Sequence, residues 1–297
     1  AGGVSLQHRE GYRYPVGPEF TSRERVLEEM QRTGVDHRVV SLPPTLFFYG
    51  QPPQAGEAAC RHFNDALVEF VQAAPNRLSA MITLPLQDPE RAAAELERMA
   101  RHPAVKGIIM GPHVEERHLD DPALDVFFAA AERAGLVLFL HPYYTGPKPR
   151  LEPYYLTNSI GNPLDTTIGA ARLIHGGVLE RHPNLSVVLA HGGGFFPYQL
   201  GRLEHAFRVR SEPKQRCARP PMEFLSRFYF DTVLHWPKAL RWLVETVGPE
   251  RVVLGSDYPF DMGDPDPVGS VERAGLGDEA RRRVLRDNAA ALFRLAR

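Results

Sequence analysis

The sequence predicts an α/β protein, a (β/α)8 TIM-like barrel that lacks its first strand within these residues. Three observations predict it. Seven short apolar runs, near residues 38, 80, 107, 138, 187, 229 and 253, have the length of buried strands, and a helical pattern follows each. One further helical pattern, 22–33, has no strand before it. Residues that can bind metal or move protons, His141, His191 and Asp257, end three different runs, as barrels present their chemistry at the C-terminal ends of strands. Alternating strands and helices imply parallel strands joined by crossover helices. An open doubly wound sheet satisfies the same alternation and is the rival architecture.

Each element has its own signal. Residues 1–20 carry no period and read as loop. Thr21 or Ser22 caps a helix that runs to Thr33, with Val26, Leu27 and Met30 inward, and Gly34 stops it. A strand at 37–42 is followed by a Pro- and aromatic-rich loop, 43–54, and a helix over 56–74. The strand 78–86 leads to Asp88 and Pro89, a cap and first turn for a helix reaching 102. The strand 105–110 carries Lys106 near its start, which places that side chain away from the ligand end. A helix over 122–134 and the strand GLVLFLH (135–141) come next. The stretch 142–163 is long and non-periodic, as lids or interface arms are. Its tyrosines 143, 144, 154 and 155 offer an aromatic wall for a flat substrate or packing for the loop. A helix over 164–181 precedes the run LSVVLA (185–190), which ends on His191 and Gly192 to Gly194. Helical pattern resumes at Phe196 and fades near Arg210. The strand RFYFDTV (227–233), a helix over 237–247, a strand over 252–256 and a helical segment over 278–295 complete the chain.

Composition narrows the function. The 297 residues, 43% hydrophobic and 24% charged, suit one globular domain over 1–297. A net charge of −1 without a basic run or a basic–aromatic stripe excludes a nucleic-acid partner. No apolar run approaches the roughly 18 residues of a membrane span. Two cysteines, Cys60 and Cys217, form neither a CxxC pair nor a disulfide framework. That and the absence of a signal-peptide pattern point to the cytoplasm.

His141 is an imidazole suited to a divalent metal, against the alternative of a histidine packed on Pro142. Asp257 offers a charged oxygen, against the alternative of capping the turn after it. His191 can hold or donate a proton near neutral pH. The glycines after it let main chain approach a ligand. Arg202 lies about three helical turns beyond His191, too far along one helix to share its ligand.

HGGGFFPYQLGR (191–202), FLHP (139–142), GSDYPF (255–260) and DNAAALF (287–293) resemble the amidohydrolase superfamily. EEMQRTGVD (28–36) and LPLQDPERAAAELERM (84–99) are similar to its aminocarboxymuconate-semialdehyde decarboxylase branch, relatives of the γ-resorcylate and 5-carboxyvanillate decarboxylases. The resemblance runs over nearly all of 20–295. It implies a barrel with one divalent metal, zinc in this branch and manganese as the alternative. The metal is held by an HxH pair on the first strand, a histidine ending the fifth and an aspartate ending the eighth. His141 and Asp257 match the last two. His191 matches the catalytic acid–base histidine beside the metal. Arg202, in LGR, matches an arginine that reaches a substrate carboxylate across a homodimer interface. Arg13, in GYRYP, matches one that holds a carboxylate from the loop before the first helix. The sequence holds no HxH pair, at the same place where the unaccompanied first helix lacks its strand.

The expected function is metal-dependent, non-oxidative decarboxylation of a small carboxylated aromatic or muconate-semialdehyde-like compound. One alternative keeps the metal residues and hydrolyses an amide, lactone or ester-like bond. The other is a metal-free, inactive barrel serving as a binding subunit, with the missing HxH as its support.

Overall fold

A computed structural model describes residues 4–7, 13–143 and 150–295. Seven strands form one sheet: β1 (Arg38–Ser41), β2 (Leu78–Ile82), β3 (Val105–Met110), β4 (Val137–Leu140), β5 (Val187–Leu189), β6 (Phe228–Asp231) and β7 (Val252–Val253). Neighbours in sequence are neighbours in the sheet from β1 to β7, and every pairing is parallel. A doubly wound sheet would reverse its strand order at a switch point, so the rival architecture is set aside.

The sheet curls. His141 follows β4 and Asp257 follows β7, three strands away, which is about 14 Å across a flat sheet at the usual ~4.8 Å spacing. Their side chains nevertheless meet at 3.4 Å. Curling leaves a seam, since among the described residues β1 and β7 pair on one side only. A cleft of about 1800 Å³ runs from this seam into the concave face. Ile109, Phe139 and Val188, side by side in register, line it.

Helices cover the outer face: α1 (Arg23–Thr33), α2 (Pro53–Gln72), α3 (Pro89–Met99), α4 (Asp125–Ala134), α5 (Asn162–His175), α6 (Phe196–Val209), α7 (Pro237–Val247) and α8 (Pro267–Arg273). Local chemistry sets their ends. The Ser22 hydroxyl accepts from the Arg25 N–H to start α1, and Gly34, left-handed at φ 70°, ends it. The Asp88 carboxylate accepts from the Arg91 N–H, with Pro89 at the first position of α3. The core between helices and sheet contains Phe127, Phe128, Phe196, Phe228 and Phe230, all inaccessible to solvent. No helix of the described residues is long and apolar enough to cross a membrane.

Several expectations need correction. Residues 1–20 are not all loop: Ser5–Gln7 and Arg13–Pro15 pair antiparallel, and Pro18–Thr21 is a helical turn. The non-periodic stretch is shorter than expected, because a π-helical turn, Thr157–Gly161, runs directly into α5. The helix expected over 164–181 breaks at Gly177, left-handed at φ 72°, before the short helix Val178–Arg181. The helix α8 was not foreseen. Residues 278–292 are helical, with a π turn at Arg283–Asp287. Tyr154 and Tyr155 are exposed rather than walling a pocket, Tyr143 packs against Phe47 and Tyr49, and Tyr144 lies outside the described residues.

Candidate metal centre

Three strand ends deliver three side chains to one point. His141 follows β4, His191 follows β5 and Asp257 comes four residues after β7. Their ligand atoms all lie within 4.8 Å of one another. Asp257 uses both oxygens: Oδ1 is 3.4 Å from His141 Nε2, and Oδ2 is 3.6 Å from His191 Nε2. The two imidazoles meet edge to face, centroids 5.0 Å apart. Their side chains are only 12%, 19% and 19% exposed, and His141 and Asp257 line the cleft.

Main chain fixes the His141 ring. Its Nδ1 lies 2.7 Å from the Pro142 carbonyl oxygen, which can only accept, so Nδ1 carries the proton. In the neutral ring Nε2 is then a bare lone pair facing a carboxylate oxygen. Two acceptors at 3.4 Å repel unless a cation or a proton lies between them. Two imidazole nitrogens and a carboxylate suit zinc or manganese. The His191 Nδ1 is buried and has no hydrogen-bond partner. The residues present therefore fit a divalent ion.

Backbone geometry is unusual at the same residues. His191 and Asp257 have φ of 55° and 53°, left-handed values uncommon outside glycine that cluster at functional sites. The turn after His191 needs its glycines. At Gly194, with φ 61° and ψ −125°, a Cβ would stand 2.1 Å from the Pro163 carbonyl oxygen.

The charges reinforce one another. Burial alone would lower the His191 pKa, but contact with Asp257 and the negative charges of Asp257 and Asp231 outweigh it and raise the group above its ordinary value. Burial alone would raise the Asp257 pKa, but contacts with both histidines outweigh it and hold the carboxyl far below the usual range. Both shifts have one cause, the contact between imidazole and carboxylate.

The other expected site residues lie elsewhere. Arg202 is exposed on α6, and Arg13 is exposed in the N-terminal hairpin, its Nε donating to the Ser5 hydroxyl at 2.9 Å. Arg38, not singled out from the sequence, lines the cleft, stacks on the Tyr258 ring at 4.9 Å, pairs with Glu29 and keeps a buried, unpartnered Nη1. Asp231 was also missed. It is 5% exposed at the end of β6, and its one signal was an aspartate closing the apolar run FYFD.

Comparison with known proteins supplies the context. The family model described as amidohydrolase matches residues 16–295. The chain is 36% identical over 250 residues to 2-amino-3-carboxymuconate-6-semialdehyde decarboxylase of Dictyostelium discoideum, covering 83% of this chain and 69% of that one. It superposes on 5-carboxyvanillate decarboxylase of Sphingomonas paucimobilis with a TM-score of 0.83 at 30% identity, covering 91% and 82% of the two chains. The 5-carboxyvanillate decarboxylase of Novosphingobium aromaticivorans, solved with manganese and 4-hydroxy-3-methoxy-5-nitrobenzoic acid, gives 0.84 at 26% identity, covering 91% and 80%.

Proposed function

The chain belongs to the amidohydrolase family, and from that membership we propose that it is a metal-dependent, non-oxidative decarboxylase. Its substrate is a small carboxylated aromatic or an aminocarboxymuconate-semialdehyde-like compound. The observation that carries the reading is the meeting of His141, His191 and Asp257 at three strand ends, open to a cleft large enough for such a molecule. The decarboxylases among its relatives favour loss of carbon dioxide over hydrolysis. A cation-demanding trio argues against a metal-free binding subunit.

A bound divalent ion would supply Lewis acidity to a substrate oxygen. His141 and Asp257 would hold it. His191, beside Asp257, is placed to deliver a proton to the carbon that bears the carboxylate. The bond to the carboxylate then breaks, its electron pair returns to the ring or the conjugated chain, and carbon dioxide leaves. Solvent returns the proton to His191.

The finer parts of the reading follow from the resemblance. The curled sheet is taken as seven strands of a (β/α)8 barrel, with the seam between β1 and β7 as the place of the eighth. The metal is taken as zinc, with manganese as the alternative, and the assembly as a cytoplasmic homodimer. Arg202 is assigned to a substrate carboxylate across the dimer interface, and Arg13 to one within the chain.

The test is incubation of the metal-loaded protein with γ-resorcylate, 5-carboxyvanillate and 2-amino-3-carboxymuconate-6-semialdehyde. Carbon dioxide release, with a product lighter by one carbon dioxide, supports the reading. A product heavier by one water would replace it with hydrolysis.

A further inference from the structure

Asp231 closes β6 and is nearly inaccessible, and the decarboxylation step does not use it. Its Oδ1 accepts two main-chain N–H bonds, from Gly192 at 2.9 Å and Val233 at 3.0 Å. The bond to Val233 is an ordinary local turn made by an aspartate with the residue two places on. The bond to Gly192 is not local: it crosses to the turn after β5. Thr232 continues the tie in the other direction. Its hydroxyl accepts from the Gly255 N–H at 3.1 Å and lies 3.3 Å from the Gly255 carbonyl oxygen. The fit is close, since a Cβ on Gly255 would stand 2.9 Å from the Asp231 Cβ. The end of β6 thus grips the residue after His191 and the residue two before Asp257.

We infer that Asp231, assisted by Thr232, is the positioning residue that holds His191 opposite Asp257. This rests on the reading of the three side chains as a metal centre. His191 and Gly192 are both left-handed, at φ 55° and 61°. Such a conformation persists at a non-glycine residue only where its surroundings over-determine it. A bond from a charged acceptor to the very next N–H supplies that constraint, and bonds to an ionised acceptor are the strong ones. Asp231 also borders the cleft, but this bond ends on the main chain next to His191, so through it Asp231 acts on His191.

The test compares Asp231→Ala, which removes the acceptor, with Asp231→Asn, which keeps an acceptor oxygen. Binding of manganese(II) alone is measured by calorimetry, and amide exchange is followed over residues 190–195. In Asp231→Ala, manganese binding, which rests on His141 and Asp257, is expected to change by less than about threefold, far below the roughly 10- to 100-fold loss seen when a ligand itself loses its support. Exchange at Gly192 speeds up, and kcat falls with little change in KM. Asp231→Asn recovers most of the loss. Gly192 exchange and kcat both unchanged in Asp231→Ala would overturn the inference. So would an Asp231→Asn variant as impaired as Asp231→Ala, which would assign the effect to charge. If Asp231→Ala does not fold, Thr232→Val cuts only the tie to Gly255, two residues before Asp257, and is expected to weaken manganese binding several-fold through Asp257; wild-type affinity there would overturn the inference. A wild-type protein that binds manganese but releases no carbon dioxide would sink the decarboxylase reading alone, leaving the positioning role to be judged by binding and exchange.

Discussion

Asp257 and His191 face each other across 3.6 Å, and both do so from left-handed backbone, at φ 53° and 55°. Two strained residues opposite one another spend stability on geometry, of order 1–3 kcal/mol each. Substituting Asp257 with Asn keeps the shape and removes the charge. Metal content by elemental analysis should fall well below that of the wild type. Chelation of the wild type should abolish carbon dioxide release, and added manganese or zinc should restore it. An Asp257→Asn variant that retains full metal would remove Asp257 from the ligand set.

His191 carries the proton in the proposed reaction. Replacing it with Asn should lower kcat by about 10²- to 10⁴-fold, the usual contribution of a positioned acid. Substrate binding, measured by fluorescence quenching or calorimetry, should change far less. Equal loss in both would mean that His191 holds substrate rather than moving a proton.

Gly194 tests the turn without touching a ligand. Gly194→Ala places a methyl against the Pro163 carbonyl, which is main chain and cannot swing away. Thermal unfolding should show a clear drop in Tm, and any folded fraction should bind metal poorly. A variant with normal Tm and normal metal affinity would show that the turn has another accessible shape.

A second stability test lies away from the site. Asn64 is fully buried between α2 and the end of β2. It accepts from the Thr83 N–H at 3.0 Å and donates to the Thr83 carbonyl and the Glu95 carboxylate, both at 2.9 Å. Asn64→Ala strands the Thr83 N–H and carbonyl, while Glu95 keeps its bonds from Arg98, and should cost roughly 2–4 kcal/mol in denaturant unfolding. A cost below about 1 kcal/mol would mean that water replaces the side chain.

His37 gives a pH test. Burial lowers its pKa, the nearby positive charges of Lys106 and Arg77 add to this, and the contact with the Asn76 carbonyl offsets it only in part. The folded state therefore binds fewer protons than the unfolded state between the folded pKa and the ordinary value near 6.5. Stability from this group is complete above that window and is lost as pH falls through it. His37→Gln should flatten the fall in Tm between about pH 8 and pH 5. An unchanged slope would assign the acid sensitivity to other groups.

Much of this was legible in the sequence because strand ends are easy to read. A β-branched run that stops at a histidine or an aspartate marks both the strand and the side chain that leaves it, so His141, His191 and Asp257 could be named together. The same logic failed for Asp231, since FYFD resembles any strand meeting a polar turn, and only the tertiary bond to Gly192 sets it apart. The stretch 158–165 reads from its sequence as a turn and helix start, but the π-helical form of Thr157–Gly161 was not foreseen, because Asn158, Ser159 and Gly161 are weak helix formers and the packed helix behind them imposes the conformation. The three-residue strands near the N-terminus are too short to show a period. Arg38 was overlooked because a charge at the start of a strand reads as solvent-facing, whereas the stack on Tyr258 depends on two strands far apart in sequence.

His141 takes its tautomer from the Pro142 carbonyl, and every amino acid has a carbonyl. No substitution elsewhere in the side-chain repertoire can delete that partner, and no drift of a neighbouring carboxylate can reverse it. Of the three converging groups, this one is insulated from mutation by being wired to the peptide chain itself. His191 depends instead on an aspartate that a single base change could remove, and loss of function by drift should therefore begin on that side of the centre.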